Sequence, residues 1–190
     1  ELISIVTLKK LEDDKFEGQN YKTVWGRIFG GQVLSQSLHA AYQTVPENRI
    51  AHSMHAYFIL PGDLNEPVIY EVDNIRNGGS FTTRRVLAFQ KGRAIFNMAA
   101  SFQKDEEGFD HQIQMPNVLS PDLLLTDFEQ AEKFKEELAE RYQIFLAAHP
   151  KVFDFKPVGT NIFLRKENAL PINHCWFRLK DKIDMPLQFH

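Results

Sequence analysis

From Trp25 to Val45 the apolar residues Leu34, Leu38, Ala41 and Val45 fall at i, i+4, i+7 and i+11, one stripe of a 3.6-residue period. Around them, from Gln32 to Thr44, stand Ser35, Gln36, Ser37, His39, Ala40 and Gln43, with no Lys, Arg, Asp or Glu. Small uncharged groups all round predict a helix that is enclosed rather than solvated. Gly30 and Gly31 precede it and permit a sharp bend or a close approach, and Pro46 stops it.

Beyond Pro46 the period falls to two. In Ile50 to Leu60, Met54, Ala56, Phe58 and Leu60 alternate with His55, Tyr57 and Ile59, which predicts a central strand, apolar on both faces. Val68 to Ile75 places Val68, Tyr70 and Val72 on one face. Asn77-Gly78-Gly79 predicts a hairpin of the kind that favours positive φ. Ser80 to Gln90 carries Phe81, Leu87 and Phe89 on one side. Lys91-Gly92 turns again, and Arg93 to Gln103 sets Ala94, Phe96 and Met98 opposite Ile95 and Asn97. Long antiparallel strands curl, because each pair adds roughly 20–25° of twist. A helix followed by four such strands predicts an α+β fold in which the sheet wraps the helix.

The flanks are less regular. Residues 1–11 read as a short amphipathic helix and Lys15 to Gln19 as an edge strand. Downstream, an acidic stretch from Lys104 to Asp110 leads to Met115-Pro116 and Ser120-Pro121, which mark a linker. Thr126 and Glu129 form a capping-box pair opening a helix to about Ala148. Val152 to Pro157 and His174 to Lys180 read as strands with no helix to cover them, too little for a core. The expected organisation is a first domain over 1–116, a linker with a helix over 117–150, and the cut beginning of a second domain over 151–190.

Composition narrows the function. Hydrophobic residues at 43% and 16 Phe suffice for a packed core. No apolar run nears the roughly 18 residues that cross a bilayer, and Leu2 to Leu11 is too short and too polar at its end for a secretion signal. A net charge of −3 argues against a general nucleic-acid binder. Between Asn20 and Gln103, however, eight Lys/Arg face five Asp/Glu, which permits a small anionic ligand. The one cysteine, Cys175, excludes an internal disulfide and reads as an inert thiol buried in a strand.

Self-contained chemical motifs are few. There is no Walker loop, dinucleotide fingerprint, nucleophile elbow or zinc spacing. His52-x-x-His55 lacks a third ligand, and strand residues three apart face opposite sides, so no metal is expected. The Gly30-Gly31-Gln32 helix start offers free backbone N–H groups to an anion or oxyanion, or else only lets the helix pack closely. His52 and His55 read as acid or base, or as packed strand residues. Asp63 reads as a turn residue. Arg84 and Arg85 lie on opposite faces, so at most one of them points to a ligand.

Four blocks carry a resemblance over about residues 12–116: Gly26-Arg27-Ile28-Phe29-Gly30-Gly31-Gln32-Val33; His52-Ser53-Met54-His55-Ala56-Tyr57-Phe58 through Leu60-Pro61-Gly62-Asp63; Gly79-Ser80-Phe81-Thr82-Thr83-Arg84-Arg85-Val86; and Ala100-Ser101-Phe102-Gln103. They resemble the acyl-CoA thioesterase II (TesB-like) family. A weaker continuation runs through His174-Cys175-Trp176-Phe177-Arg178 and Leu187-Gln188-Phe189-His190. The resemblance implies a double hot-dog fold, of which this chain holds the first half and the start of the second. It also implies hydrolysis of fatty acyl-CoA to free acid and CoA by an activated water, without a cofactor, a metal or a covalent enzyme intermediate. The family's water-activating Asp, Thr and Gln belong to the second hot dog, and none is assigned within 1–190.

The resemblance leaves a small candidate set. His52, which matches a family histidine, is the catalytic candidate, and Gly30, Gly31, Gln32 and Arg84 are the substrate-binding ones. Acyl-CoA is the expected substrate and a second copy, paired through the sheets, the expected partner, with neither nucleic acid nor membrane. The expected compartment is a bacterial cytoplasm or a peroxisome. The competing readings are a non-catalytic acyl or CoA binder and a hot-dog dehydratase. The dehydratase is disfavoured because the helix carries His39 but no acid.

Overall fold

Gly30–Tyr42 is helical (α2), as the 3.6-residue period predicts. A computed structural model describes residues 2–23, 26–138, 140, 143, 152–159 and 171–181, so the predicted start at Trp25 and the last family block lie outside the described residues. The helix is enclosed, as expected, but the leucines of its apolar stripe are not its most buried residues. Gln32, Val33, Gln36, Ser37, His39, Ala40 and Ala41 are buried, while Leu34 and Leu38 are only half-buried at the margin of the core. Small side chains let the helix backbone approach the sheet closely, which a leucine face would prevent. The buried amide of Gln36 is fully used. Its Nε2 donates to Ile5 O at 2.6 Å and Gln19 O at 2.9 Å, and its Oε1 accepts from Tyr70 Oη at 2.6 Å.

Six antiparallel strands surround α2: β1 Lys9–Glu12, β2 Lys15–Gly18, β3 Ile50–Phe58, β4 Val68–Asn77, β5 Phe81–Gln90 and β6 Arg93–Gln103, in the order β1-β2-β4-β5-β6-β3. The core joins Val33, Ala40 and Ala41 of α2 to Phe16, the predicted Val68, Tyr70 and Val72, and Phe96, Met98 and Phe102. On β5 the inward residues are Thr82, Arg84, Val86, Ala88 and Gln90, not the Phe81, Leu87 and Phe89 side. The ladder fixes this choice, since Val86 lies opposite both Val72 and Met98.

Four further expectations give way. The predicted helix over 1–11 stops at Val6 (α1, Leu2–Val6), and the following Lys9–Glu12 pairs with β2 as the sheet's outer edge, so β2 is interior. Strand β3 is the other edge rather than a central strand; it pairs with β6 alone, and Met54, Tyr57 and Phe58 remain exposed. Two apolar faces therefore do not mean two covered faces here. Neither Gly78 nor Gly79 has positive φ. Gly78 instead serves a close approach, since a Cβ there would come within 2.7 Å of Phe81 O. Positive φ occurs at Lys91 (49°) and Gly92 (72°), as the two central residues of the β5–β6 hairpin require.

The first compact unit takes Glu1–Gly108 together with Asp184–His190, and a second covers Phe109–Ile183. Its helix α3, Asp127–Lys133, opens on the predicted capping box: Thr126 Oγ1 accepts from Glu129 N at 3.2 Å, and Thr126 N donates to Glu129 Oε2 at 2.7 Å. α3 ends at Lys133 and a 3₁₀ turn follows at Lys135–Glu137; Glu140 and Gln143 are helical again, and the rest of the predicted run to Ala148 lies outside the described residues. Strands β7 Phe153–Pro157 and β8 Cys175–Leu179 pair antiparallel, with Phe155 opposite Phe177. Cys175 is exposed rather than buried, on a strand that presents most of its residues to solvent.

Candidate functional site: an apolar cleft at the start of α2

Phe29 caps α2 with extended backbone and no side-chain hydrogen bond. Beside this uncapped end opens a cavity of about 470 Å³, lined by Gly30 and Val33 of α2, Phe58–Gly62, Ile95 and Phe96, with Arg27 and Ile28 alongside. The Phe58 and Phe96 rings sit 5.0 Å apart in the wall. Glycine at position 30 lets the Phe58 ring lie against the helix start, since a Cβ there would meet the ring's outer edge at 2.9 Å.

The loop after β3 is firmly held. Ile59 N and Leu60 N donate to Ile95 O at 2.9 and 3.1 Å, and Ile28 N donates to Gly62 O at 3.1 Å. The buried Gln90 receives Asp63 N at 2.8 Å and donates to Asp63 O and Glu66 O at 2.9 and 2.6 Å. Asp63 is the turn residue its position predicts. Its carboxylate accepts from Asn65 N at 3.0 Å and pairs with Lys91 at 3.1 Å, and these two donors hold its pKa below the ordinary value.

Of the predicted site residues, only Gly30 lines this cavity. A Cβ on Gly31 would strike the Phe29 ring, so that glycine answers to packing. The buried Gln32 amide ties the preceding segment to the helix: Oε1 accepts from Tyr21 N at 2.8 Å, and Nε2 donates to Gln19 O at 3.2 Å and Asn20 Oδ1 at 3.1 Å. His52 lies six residues before Phe58, about 20 Å along the strand at ~3.3 Å per residue. It occupies a bulge in the β3–β6 ladder, exposed, with Nε2 2.8 Å from Ser101 Oγ and its ring against Phe81. The bulge breaks the period of two, so His52 meets the outer face of β6, which His55 also faces across from Ala99.

Arg84 is not available to a ligand. It is 1% exposed, and its five N–H groups are all spent. Nε donates to Thr44 Oγ1 at 2.7 Å; Nη1 to Arg76 O at 3.1 Å and Thr83 O at 3.0 Å; Nη2 to Thr44 O and Asn77 Oδ1, each at 2.7 Å. A cation just past the C-terminal end of α2 also opposes the helix dipole favourably. The buried Arg49 grips the same hairpin, donating to Gly78 O at 2.9 Å, Gly79 O at 2.7 Å, and Ser80 O. Both arginines fasten the fold.

Arg27, at the cavity rim, was missed as a site residue although it stands three places before Gly30; a cation next to a glycine helix start was the available signal. The amide anchors Gln36 and Gln90 gave none, since sequence does not show which backbone groups a glutamine will reach.

The curled sheet closed around α2 is a hot dog. A protein of unknown function with the hot-dog fold from Alicyclobacillus acidocaldarius shares it with a TM-score of 0.70 at 19% identity, over 93% of this chain and 61% of that one. Residues 20–103 match the family described as acyl-CoA thioesterase N-terminal domain. The chain is 42% identical to acyl-CoA thioesterase 2 of Haemophilus influenzae, over 98% of its own length and 65% of that protein's. An acyl-CoA thioesterase II from Mycobacterium marinum aligns with a TM-score of 0.76 and 32% identity, over 100% of this chain and 64% of that one. The chain resembles the acyl-CoA thioesterases along nearly its whole length. It spans a little under two thirds of the length of these relatives.

Proposed function

We propose that the intact protein hydrolyses fatty acyl-CoA to free fatty acid and CoA with an activated water. The observation that carries this reading is the cavity at the start of α2: apolar walls for an acyl chain, and at one end a glycine helix start that lets a thioester come close. Among the described residues no Asp or Glu lines that cavity. The third of the relatives' length beyond this chain is where the water-activating groups belong, in a second hot dog. The first unit then serves as the N-terminal hot dog, and the β7–β8 pair as the beginning of the next.

In this arrangement Gly30 receives the substrate, Gln32 positions the turn and His52 stays outside the chemistry. The exposed edge of β3 supports pairing with another hot-dog sheet, in the same protein or in a second copy. Among the described residues no helix is long and apolar enough to cross a membrane. A bacterial relative accords with a bacterial cytoplasm, and a yeast relative named as peroxisomal with the other compartment.

Thiol release from dodecanoyl-CoA tests the reading, with this chain compared against a protein carrying the rest of the relatives' length. Turnover by the longer protein alone is the expected result. Equal turnover by the 190-residue chain would put the water-activating groups inside it. An inert longer protein would leave a non-catalytic acyl binder instead.

A further inference from the structure

The rim of the cavity has a charge that its walls do not explain. Ile28, Val33, Phe58, Ile95 and Phe96 make the interior apolar, yet Arg27 stands exposed at its side. Some cations of this unit are paired: Arg85 with Asp73 at 2.8 Å, Lys15 with Glu71 at 3.0 Å and Lys91 with Asp63 at 3.1 Å. Among the described residues no carboxylate lies within ion-pair distance of Arg27. The acid nearest in the lining loop is Asp63, next to Gly62, and Lys91 and Asn65 already occupy its oxygens. The start of α2 adds partial positive charge at Gly30. An apolar cavity with an uncompensated cation at its rim fits a linear chain that ends in an anion.

We infer that this cavity holds a fatty carboxylate more tightly than a neutral chain of the same length, through Arg27, and so retains the acid that hydrolysis releases. The inference rests on the hydrolase reading for the origin of that acid. In the substrate, the group at the rim is an uncharged thioester. After water has added and CoA has left as the thiol, the same carbon carries a carboxylate. The acyl chain's interactions are unchanged, and the new charge faces Arg27. The product is therefore a competitor of the next acyl-CoA.

Titration calorimetry of the protein with decanoate and with 1-decanol tests this directly. Decanoate should bind about fivefold more tightly, the upper range for an exposed ion pair, and the gap should narrow as salt rises. Arg27→Gln should bind the two alike and Arg27→Lys should keep most of the gap, since Arg27 is exposed and neither change threatens the fold. Gly30→Leu, which fills the cavity, should weaken both ligands together. Equal binding of the two by the unaltered protein, or a gap that survives Arg27→Gln, would overturn the inference. So would undiminished decanoate binding by a folded Gly30→Leu protein, which would put the site elsewhere. Thiol release is read separately: normal turnover without selectivity overturns only this inference, and selectivity without turnover overturns only the hydrolase reading.

Discussion

Replacing Arg84 by Met separates a ligand-binding arginine from a structural one. Methionine keeps most of the unbranched stem and removes every donor. Thr44 O, Thr44 Oγ1, Asn77 Oδ1, Arg76 O and Thr83 O then lose the guanidinium together. Hydrogen bonds to a charged group contribute about 1.5–3 kcal/mol each, but burying the guanidinium costs much of that sum, as its lowered pKa reflects. The net loss is set by the acceptors that water cannot reach. If two acceptors are left unmet, ~1.5 kcal/mol for each gives about 3 kcal/mol. For a chain of this size that lowers the melting temperature by about 6–12 °C. Calorimetric melting measures it, and amide exchange locates it, with faster exchange expected at the end of α2 and in the β4–β5 hairpin. Arg84→Lys, with three donors and no planar fork, should fall between. A variant melting within about 1 °C of the parent, with exchange unchanged in both segments, would refute the clamp.

Two other outcomes follow from buried polar groups. Burial lowers the pKa of His39 from 6.5, so the unfolded chain takes up a proton at a higher pH than the folded one. Stability is therefore complete above about pH 6.5 and falls as pH drops through the folded value; urea midpoints should show that decline in the parent and a flatter profile in His39→Gln, and equal slopes would exclude His39 as its source. A Cβ on Gly18 would come within 2.6 Å of Gln36 Oε1 and 2.8 Å of the Tyr70 ring. Gly18→Ala should thus push apart the Gln36 anchor and destabilise by about 1–3 kcal/mol in denaturant unfolding, and parental stability would show that the anchor yields freely.

Period and spacing made much of the fold legible. The long helix, the four strands after it and the capping box at Thr126 all follow from local rules that need no knowledge of neighbours. Facing was harder to read. The stripe Leu34–Leu38–Val45 is the most apolar side of α2, yet the sheet takes the side with Gln36, Ser37 and Ala40, because close packing selects for size and the amide finds partners 31 residues upstream at Ile5 and 34 downstream at Tyr70. Strand β3 was misplaced for a related reason: apolar faces report what a strand can bury, and what covers it depends on topology. The candidate site was legible only at Gly30. Arg84 looked like a ligand-binding cation, since sequence does not reveal that five acceptors converge on it from the helix end and the hairpin.

The two margins of the sheet are not alike. Strand β1 reads Lys-Lys-Leu-Glu, with all four residues exposed, so another backbone laid along it would have to strip water from three charges. Strand β3 reads Ile-Ala-His-Ser-Met-His-Ala-Tyr-Phe and bears no lysine, acid or proline among its nine residues. One margin is guarded and the other bare. Charge and proline are the usual means by which a sheet refuses further strands. Among the described residues, then, the β3 margin is the one whose side chains would least oppose a further strand, and the bulge at His52 interrupts it.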